Sequence, residues 1–426
     1  MPEATLLIVG STASTPWGRD QISRLSAQAR QRGLRVMGAD TPGNLAVAGG
    51  EQPRMDETVE LDVHDVRACR AWATDHEAGI AAVATIRELS VLPTAWMARV
   101  RDIAGNDPEA VLRVRRKDVC RQRLREAGFP QPSTAVCHNA AEAERFLRTT
   151  GPGPWVVKPR DGLAGIGVTV VHGPAELGAA LAKFEDLPPA ISPLGRPDSF
   201  LAETYVEGDE YSAEGVVIDG RPQVLALTRK GKGEGFVETS HRIPSGLDPA
   251  TAAEAREAVG RALTAVGITR GIFHVEFWST AAGIVLGELH DRGGGDYIHA
   301  LVERTRPGFS LYGAFLDDLL GHAPQPVPPA AGAACAQFVL APPGRLRAVH
   351  GWEEVAAHPS VFASHLQVAV GDTVPEATDS YTRPAVFAAG ADSPEELDAL
   401  VSALTARITF DTVKEAGPDP LGPDGP

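Results

Sequence analysis

Lysine is scarce in this chain. Of 40 cationic residues only six are lysines, at positions 117, 158, 183, 230, 232 and 414. Arginine therefore fills nearly every generic surface role. A compact ammonium is not interchangeable with a planar guanidinium, so each remaining lysine is a candidate for function. Cysteine is sparse as well. Cys69, Cys120, Cys137 and Cys335 form no CxxC pair, which argues against zinc and disulfide frameworks and fits free thiols in a reducing compartment. No apolar run reaches transmembrane length. The first ten residues lack a basic n-region and a long apolar core, so they do not read as a signal peptide. A cytoplasmic protein with no membrane partner is expected. Positive charge is in deficit: the net charge is -15, which argues against a nucleic-acid partner. Two common nucleotide loops are also missing. The first strand–helix loop has no GxGxxG, and the glycine-rich loop after Lys158 is not GxxxxGK[ST].

What is present is an α/β pattern. The 426 residues suffice for two or three domains. Apolar Thr5 to Val9, a helical stretch from Gln21 to Arg32 and a second strand from Leu34 to Met37 predict a β-α-β opening and a parallel sheet. The alternation continues through Ile80 to Ala84, which places Ile86-Arg87-Glu88 at the carboxyl end of a strand, where open α/β sheets bind ligands. Lys117 to Ala127 and Ala140 to Thr149 read as helices. The cluster Gly151 to Pro154 reads as a hinge, and Arg229 to Ser240 as a polar loop. Pro249 to Val266 and Ile298 to Leu320 read as helical, and Ala323 to Ala331 as a linker. Beyond it, short strands accompany one helix near Ser393 to Arg407, and the Pro-, Gly- and Asp-rich end reads as disordered.

The most informative stretch is Gly271 to Asp296. Two strand patterns flank the small-residue turn Ser279 to Gly283. An antiparallel hairpin with that turn puts Glu276 opposite, or nearly opposite, Glu288. Two carboxylates on one sheet face repel unless a cation lies between them, and oxygen ligands on rigid strands suit Mg²⁺. His290 shares the face of Glu288, and Arg292 precedes three glycines. Upstream, Lys158 precedes a glycine-rich loop containing Gly165 and Gly167, whose backbone N–H groups can cradle phosphate. Then comes Glu203-Thr204-Tyr205-Val206-Glu207-Gly208-Asp209-Glu210, an apolar strand ending in acidic residues. Its backbone from Glu203 to Val206 can read an adenine edge, and Glu210 can grip ribose hydroxyls.

In this order, Lys117, Lys158 with its loop, the Glu203–Glu210 stretch, Glu276 and Glu288-Leu289-His290-Asp291-Arg292 resemble the ATP-grasp superfamily, and within it the carboxylate–amine ligases that join amino acids. The resemblance covers nearly the whole chain. It implies an ATP-grasp α/β fold with a Rossmann-like pre-domain (1–112), a nucleotide- and metal-binding domain (113–325, with a mobile subdomain over 152–206), a lid-like α+β subdomain (326–412) and a tail (413–426). It implies ATP as a substrate and Mg²⁺ as the ion. Lys117, Lys158, Gly165 and Gly167 would bind phosphates, Glu203 and Val206 would face adenine, and Glu210 would hold ribose. Glu276, Glu288 and, less typically, His290 would hold the metal. Arg292 would stabilise an acyl-phosphate and the tetrahedral species. Glu238 and His241, in a stretch similar to the family's substrate loop, would contact the amino acid and amine substrates. A homodimer and a role in specialised peptide or antibiotic biosynthesis follow from the same resemblance. The family usually has Asn where His290 stands and Ser where Gly165 stands; with an imidazole there, either His290 is not a ligand or the expected ion preference shifts toward Mn²⁺. Two other readings are a biotin-carboxylase-like or purine-pathway enzyme and a non-catalytic ATP-binding protein.

Overall fold

The computed structural model describes residues 4–47, 52–76, 79–160, 165–184, 198–233 and 237–414. It falls into two compact units, residues 1–230 with 243–331, and residues 231–242 with 332–426. The two units divide at Ala331 and Gly332, and residues 231–242 group with the second unit rather than with the residues that precede them in sequence.

The first unit opens with β1 (Thr5–Val9), α1 (Pro16–Gln31), β2 (Arg35–Asp40), α2 (Pro42–Val47), β3 (Glu57–Glu60), α3 (Val66–Asp75) and β4 (Ile80–Ala84). The strands form a parallel sheet in the order β3-β2-β1-β4. β1 is buried along its whole length, as expected of a parallel strand covered on both faces. Each fully buried Leu, Ile or Val there is worth about 1.5–3 kcal/mol. Helix α1 starts where Thr15 caps Gly18 N and Pro16 takes the first turn. A turn at Glu88–Ser90 leads into α4 (Val91–Val100), α5 (Pro108–Arg115) and α6 (Lys117–Glu126).

A small antiparallel sheet follows, built from β5 (Thr134–Cys137), β6 (Trp155–Pro159), β7 (Thr169–Val171) and β8 (Phe200–Thr204), with α7 (Ala140–Thr149) and α8 (Leu177–Ala182). Its order is β5-β8-β6-β7, so Lys158 and Glu203 lie on adjacent strands. The expected strand–loop–strand around Lys158 is the β6–β7 hairpin. Residues 161–164 of its loop lie outside the described residues, as do Gly235, Phe236 and residues 415–426 of the tail.

Next come β9 (Asp209–Ile218), β10 (Arg221–Lys232), β11 (Glu238–Ile243), α9 (Pro249–Val266), β12 (Gly271–Thr280), β13 (Gly283–His290), α10 (Ile298–Arg304) and α11 (Leu311–Leu319). The anticipated polar loop over Arg229 to Ser240 is a correction: β10 and β11 take most of it. Thr228 and Lys230 are buried, so the strand alternation there is carried by polar side chains that hydropathy does not register. The stretch Ile298 to Leu320 is largely helical, as expected, in two helices, α10 and α11, separated at Pro307-Gly308. In the first unit the strand order is β13-β12-β9-β10. One face of these strands packs Ala213, Leu227, Phe273, Val275, Phe277, Leu286 and Leu289 in a core with Val259, Leu263 and Val266 of α9.

The second unit contains β11, β14 (Ala333–Val339), β15 (Gly344–His350), α12 (Trp352–Ala356), β16 (Val361–Leu366), β17 (Thr373–Val374), β18 (Ala385–Ala391), α13 (Pro394–Thr405) and β19 (Thr409–Val413). Its sheets run β11-β14-β18-β16 and β17-β15-β19. Besides the expected helix, now α13, there is the short α12. Leu397, Val401 and Leu404 of α13 cluster with Cys335, Val339 and Phe387.

Gly215 in β9 leaves no room for a side chain. A Cβ there would lie 2.1 Å from Gln223 O and 2.5 Å from Phe273 Cζ. Gly215→Ala should lower stability by about 1–3 kcal/mol, the usual cost of overpacking. Urea denaturation checks this, and an unchanged midpoint would mean that β9 shifts to make room.

Candidate functional site

The site begins with the second face of the sheet whose first face is the core. Cross-strand partners share a face. His274 pairs with Glu214 and His290, Glu276 with Ser212, and Ser212 with Thr228. The strands β9, β10, β12 and β13 thus turn a set of polar and charged residues to one side. The β12–β13 register passes from Val275↔Leu289 to Phe277↔Leu286. Glu276 therefore faces two residues, Gly287 and Glu288, across a bulge. A Cβ on Gly287 would sit 3.0 Å from Glu276 O and 3.1 Å from the Trp278 ring. Glycine permits the bulge, and the bulge sets Glu276 and Glu288 nearly opposite, as the hairpin reading expects.

Lysines neutralise these carboxylates. Lys230 Nζ contacts Glu276 Oε1 at 2.5 Å and Glu210 Oε1 at 3.2 Å. Lys117 Nζ is 3.3 Å from Glu288 Oε2, and Lys158 Nζ is 3.5 Å from Glu288 Oε1 and 2.9 Å from Glu203 Oε2. Burial pushes both Glu276 and Glu288 toward neutrality. Lys230 and then His274 outweigh it at Glu276 and hold that carboxyl well below the usual range, while Lys117 and Lys158 lower Glu288. Both are ionised at neutral pH. His274 Nδ1 is 2.9 Å from Glu214 Oε2 and its Nε2 is 3.5 Å from Glu276 Oε1. Burial would lower its pKa, but Glu214 reverses this and lifts it to about 9.

Glu203, expected near adenine, has its side chain committed elsewhere. Burial raises its pKa, yet Arg121 and Lys158 prevail and bring it to about 2. Arg121 Nη2 donates to Glu203 Oε2 at 3.0 Å, with a second bond from Arg121 Nε to Glu203 Oε1. Any nucleotide contact at Glu203 thus falls to its backbone. Arg121 and Lys117 lie four apart on α6 and share a face.

A second knot forms at Glu88, just after β4. Glu88 Oε2 accepts from Arg292 Nε at 2.7 Å and lies 3.0 Å from His290 Nδ1, and Glu88 Oε1 accepts from Arg115 Nη1 at 3.1 Å. Burial disfavours its charge, but His290 and Arg292 overcome it and hold Glu88 well below the usual range. Arg292 Nη1 also donates to Gly293 O at 2.9 Å. Arg292 is therefore anchored by Glu88 rather than by Asp291 or Asp296. Burial and Arg292 together depress His290, favouring the neutral imidazole. Its Nε2 lies 3.8 Å from Glu288 Oε2. A cleft is lined by Glu88, Arg115, Lys117, Arg121, Glu288 and His290, among others.

The donor chemistry fits a hard divalent ion in kind: two ionised carboxylates on adjoining strands, and a neutral imidazole beside them. Among the described residues, however, the groups whose donor atoms lie within 4.8 Å of one another do not include the Glu276, Glu288 and His290 set. Glu276 turns to Lys230 while Glu288 turns to Lys117 and Lys158. Gly165 and Gly167 have positive φ, 72° and 75°, in the β6–β7 connection. Val206 follows β8, after its last residue Thr204. In the second unit, His241 Nε2 is 3.6 Å from Glu238 Oε2.

Sequence reasoning did not assign Arg115, Arg121, Glu214, Lys230 or His274, and noted Glu88 only by its place after a strand. Lysine scarcity is the signal that pointed to Lys230. The i, i+4 spacing from Lys117 is a signal that could have found Arg121. Among the described residues, no helix is long and apolar enough to cross a membrane.

Residues 152–299 match the model of the ATP-grasp domain, and residues 337–413 that of the L-amino acid ligase C-terminal domain 2. The chain is 31% identical to carnosine synthase 1 of Mus musculus over 221 residues, 48% of this chain and 26% of that protein. It is 26% identical to alanine–anticapsin ligase of Bacillus subtilis over 253 residues, 55% of this chain and 51% of that one. The chain thus spans about a quarter to a half of the length of these relatives. The fold is that of the crystal structure of L-amino acid ligase from Bacillus licheniformis, with a TM-score of 0.79 and 21% identity, covering 97% of this chain and all of that one.

The Glu203 carboxylate carries a pH dependence. Its pKa falls from the usual 4.5 to about 2 on folding. The associated stability is present above pH 4.5 and is lost as pH falls through 2. It amounts to about 3 kcal/mol at 1.36 kcal/mol per unit. Urea midpoints should fall over that window, and Glu203→Gln should lack that part of the slope. A variant with the wild-type acid slope would exclude Glu203 as its source.

Proposed function

Because the chain carries an ATP-grasp domain and an L-amino acid ligase C-terminal domain, we propose that it is an ATP-dependent ligase joining the carboxylate of an amino acid or related acid to an amine. The observation that carries this reading is the convergence of Lys117, Lys158 and Lys230 on Glu288 and Glu276, with Arg292 anchored beside them at Glu88. The match to an L-amino acid ligase C-terminal domain favours this reading over a biotin-carboxylase-like or purine-pathway enzyme.

In this reading a substrate carboxylate oxygen attacks the γ-phosphorus of ATP, and ADP leaves. The amine nitrogen then attacks the acyl carbon, loses a proton and expels phosphate, leaving an amide. The protein's part is positioning and charge neutralisation, which phosphoryl transfer mainly needs. Lys117 and Lys158, with the turn at Gly165 and Gly167, bind phosphate oxygens. The backbone from Glu203 to Val206 faces adenine, and Glu210 holds ribose. Glu276 and Glu288, with His290 Nε2 as a further donor, would hold the divalent ion, which when bound neutralises charge on the transferring phosphoryl group. Glu88 orients both neighbours, Arg292 through Nε and His290 through Nδ1, which leaves His290 Nε2 on the side of Glu288. Glu238 and His241 contact the amino acid or amine. The similarity to alanine–anticapsin ligase supports a role in making a specialised peptide. A cytoplasmic homodimer is part of the same proposal.

The deciding assay measures ADP release against a matrix of amino acid pairs, with products identified by mass. Release that requires both a carboxylate and an amine, with an amide product, is expected; release without either one would defeat the reading. Glu276→Gln and Glu288→Gln should each nearly abolish turnover in a folded protein, and near-normal turnover at ordinary Mg²⁺ would show the metal assignment wrong. Arg292→Ala should leave ATP affinity nearly intact and cut amide formation by about a hundredfold, as when one oxyanion donor is removed. Arg292→Lys should rescue little, because a point charge does not reproduce a planar fork. Parallel loss of ATP affinity and melting temperature would instead mark Arg292 as structural.

A further inference from the structure

The second unit buries a cation that the ligase reading does not use. Arg383 is 1% exposed, and removing a guanidinium from water costs several kcal/mol unless its donors are satisfied. Its Nε donates to Ser380 O at 2.9 Å and its Nη1 to Glu238 O at 2.9 Å. Its guanidinium carbon lies 3.4 Å from the centroid of the Phe338 ring, close enough for a desolvated cation–π contact. The same ring meets His241 edge to face, with centroids 6.3 Å apart and planes at 89°. Gln337 Nε2 adds a bond to Thr239 O at 3.0 Å. One guanidinium therefore holds both ends of the Glu238–His241 segment, the first through its carbonyl and the second through a ring.

We propose that Arg383 is a positioning residue that fixes β11, and with it Glu238 and His241, so that it sets the selectivity for the amino acid or amine substrate. This rests on the ligase reading, in which Glu238 and His241 face that substrate. The arrangement needs a planar group that donates in two directions while its face covers a ring. An ammonium on a flexible stem provides one point charge and no such face.

The test uses the full chain and the variants Arg383→Lys and Glu238→Gln, singly and together. Arg383→Lys should raise KM for the amino acid substrate by about tenfold or more, the scale of a lost hydrogen bond to a charged group, while ATP affinity stays within about twofold. The two substitutions should be non-additive, because they act on one segment. Hydrogen exchange followed by mass spectrometry should show residues 237–243 exchanging faster in Arg383→Lys, while the amides of β12 and β13 keep their wild-type rates. An unchanged KM, additive effects, or ATP affinity and stability falling in step would overturn the proposal. Failure of the ligase reading shows separately, as wild-type protein without carboxylate-dependent ADP release; unaltered exchange in residues 237–243 then overturns the positioning role on its own.

Discussion

The structure of the first unit depends on keeping several carboxylates charged on buried and half-buried strands of two sheets. Isolated, each would cost several kcal/mol and would protonate instead. The chain meets that cost with cations placed one against another: Lys230 on Glu276 and Glu210, Lys117 and Lys158 on Glu288, Arg121 and Lys158 on Glu203. The partners are shared, so the groups stand or fall together. Removing one member of such a buried pair typically costs about 3–5 kcal/mol, because the other is left uncompensated. Replacing the whole set by apolar residues would remove that liability. Its retention in a chain that otherwise avoids lysine is hard to account for by stability.

A preorganised field of this kind suits phosphate chemistry. Donors already in place for charge that develops later need no reorganisation at the moment of reaction. The parallel sheet contributes at the end of β4, where Glu88 reaches Arg292 and His290. Its position agrees with the general placement of ligand sites at the carboxyl ends of parallel strands. Here the strand end supplies an anchor for another element's arginine.

Much of the fold was legible. The α7 and α9 limits coincide with the predicted ones, and the central hairpin lies where alternation put it. These segments have clear apolar periodicity and end at strong breakers. The stretch from Arg229 to Ser240 was misread as a loop because Thr228 and Lys230 face inward while being polar. For the site, the residues were legible by type and order, but their partners were not. The backbone from Glu203 to Val206 was read as a nucleotide edge, but nothing local showed that the Glu203 carboxylate is tied to Arg121, 82 residues away in the chain.

The sequence by itself determined the alternating strands and helices, the pairing of Glu276 with Glu288 across a short turn, and the place of Lys158 ahead of a glycine-rich loop. All of these are local or compositional properties. Only the tertiary structure decided which charge neutralises which. Glu88 and Arg292 are 204 residues apart, Lys158 and Glu288 130, and Glu238 and Arg383 145. No periodicity or spacing encodes such pairings. They arise when separate elements pack, and low-dielectric burial then forces each ion to find a partner.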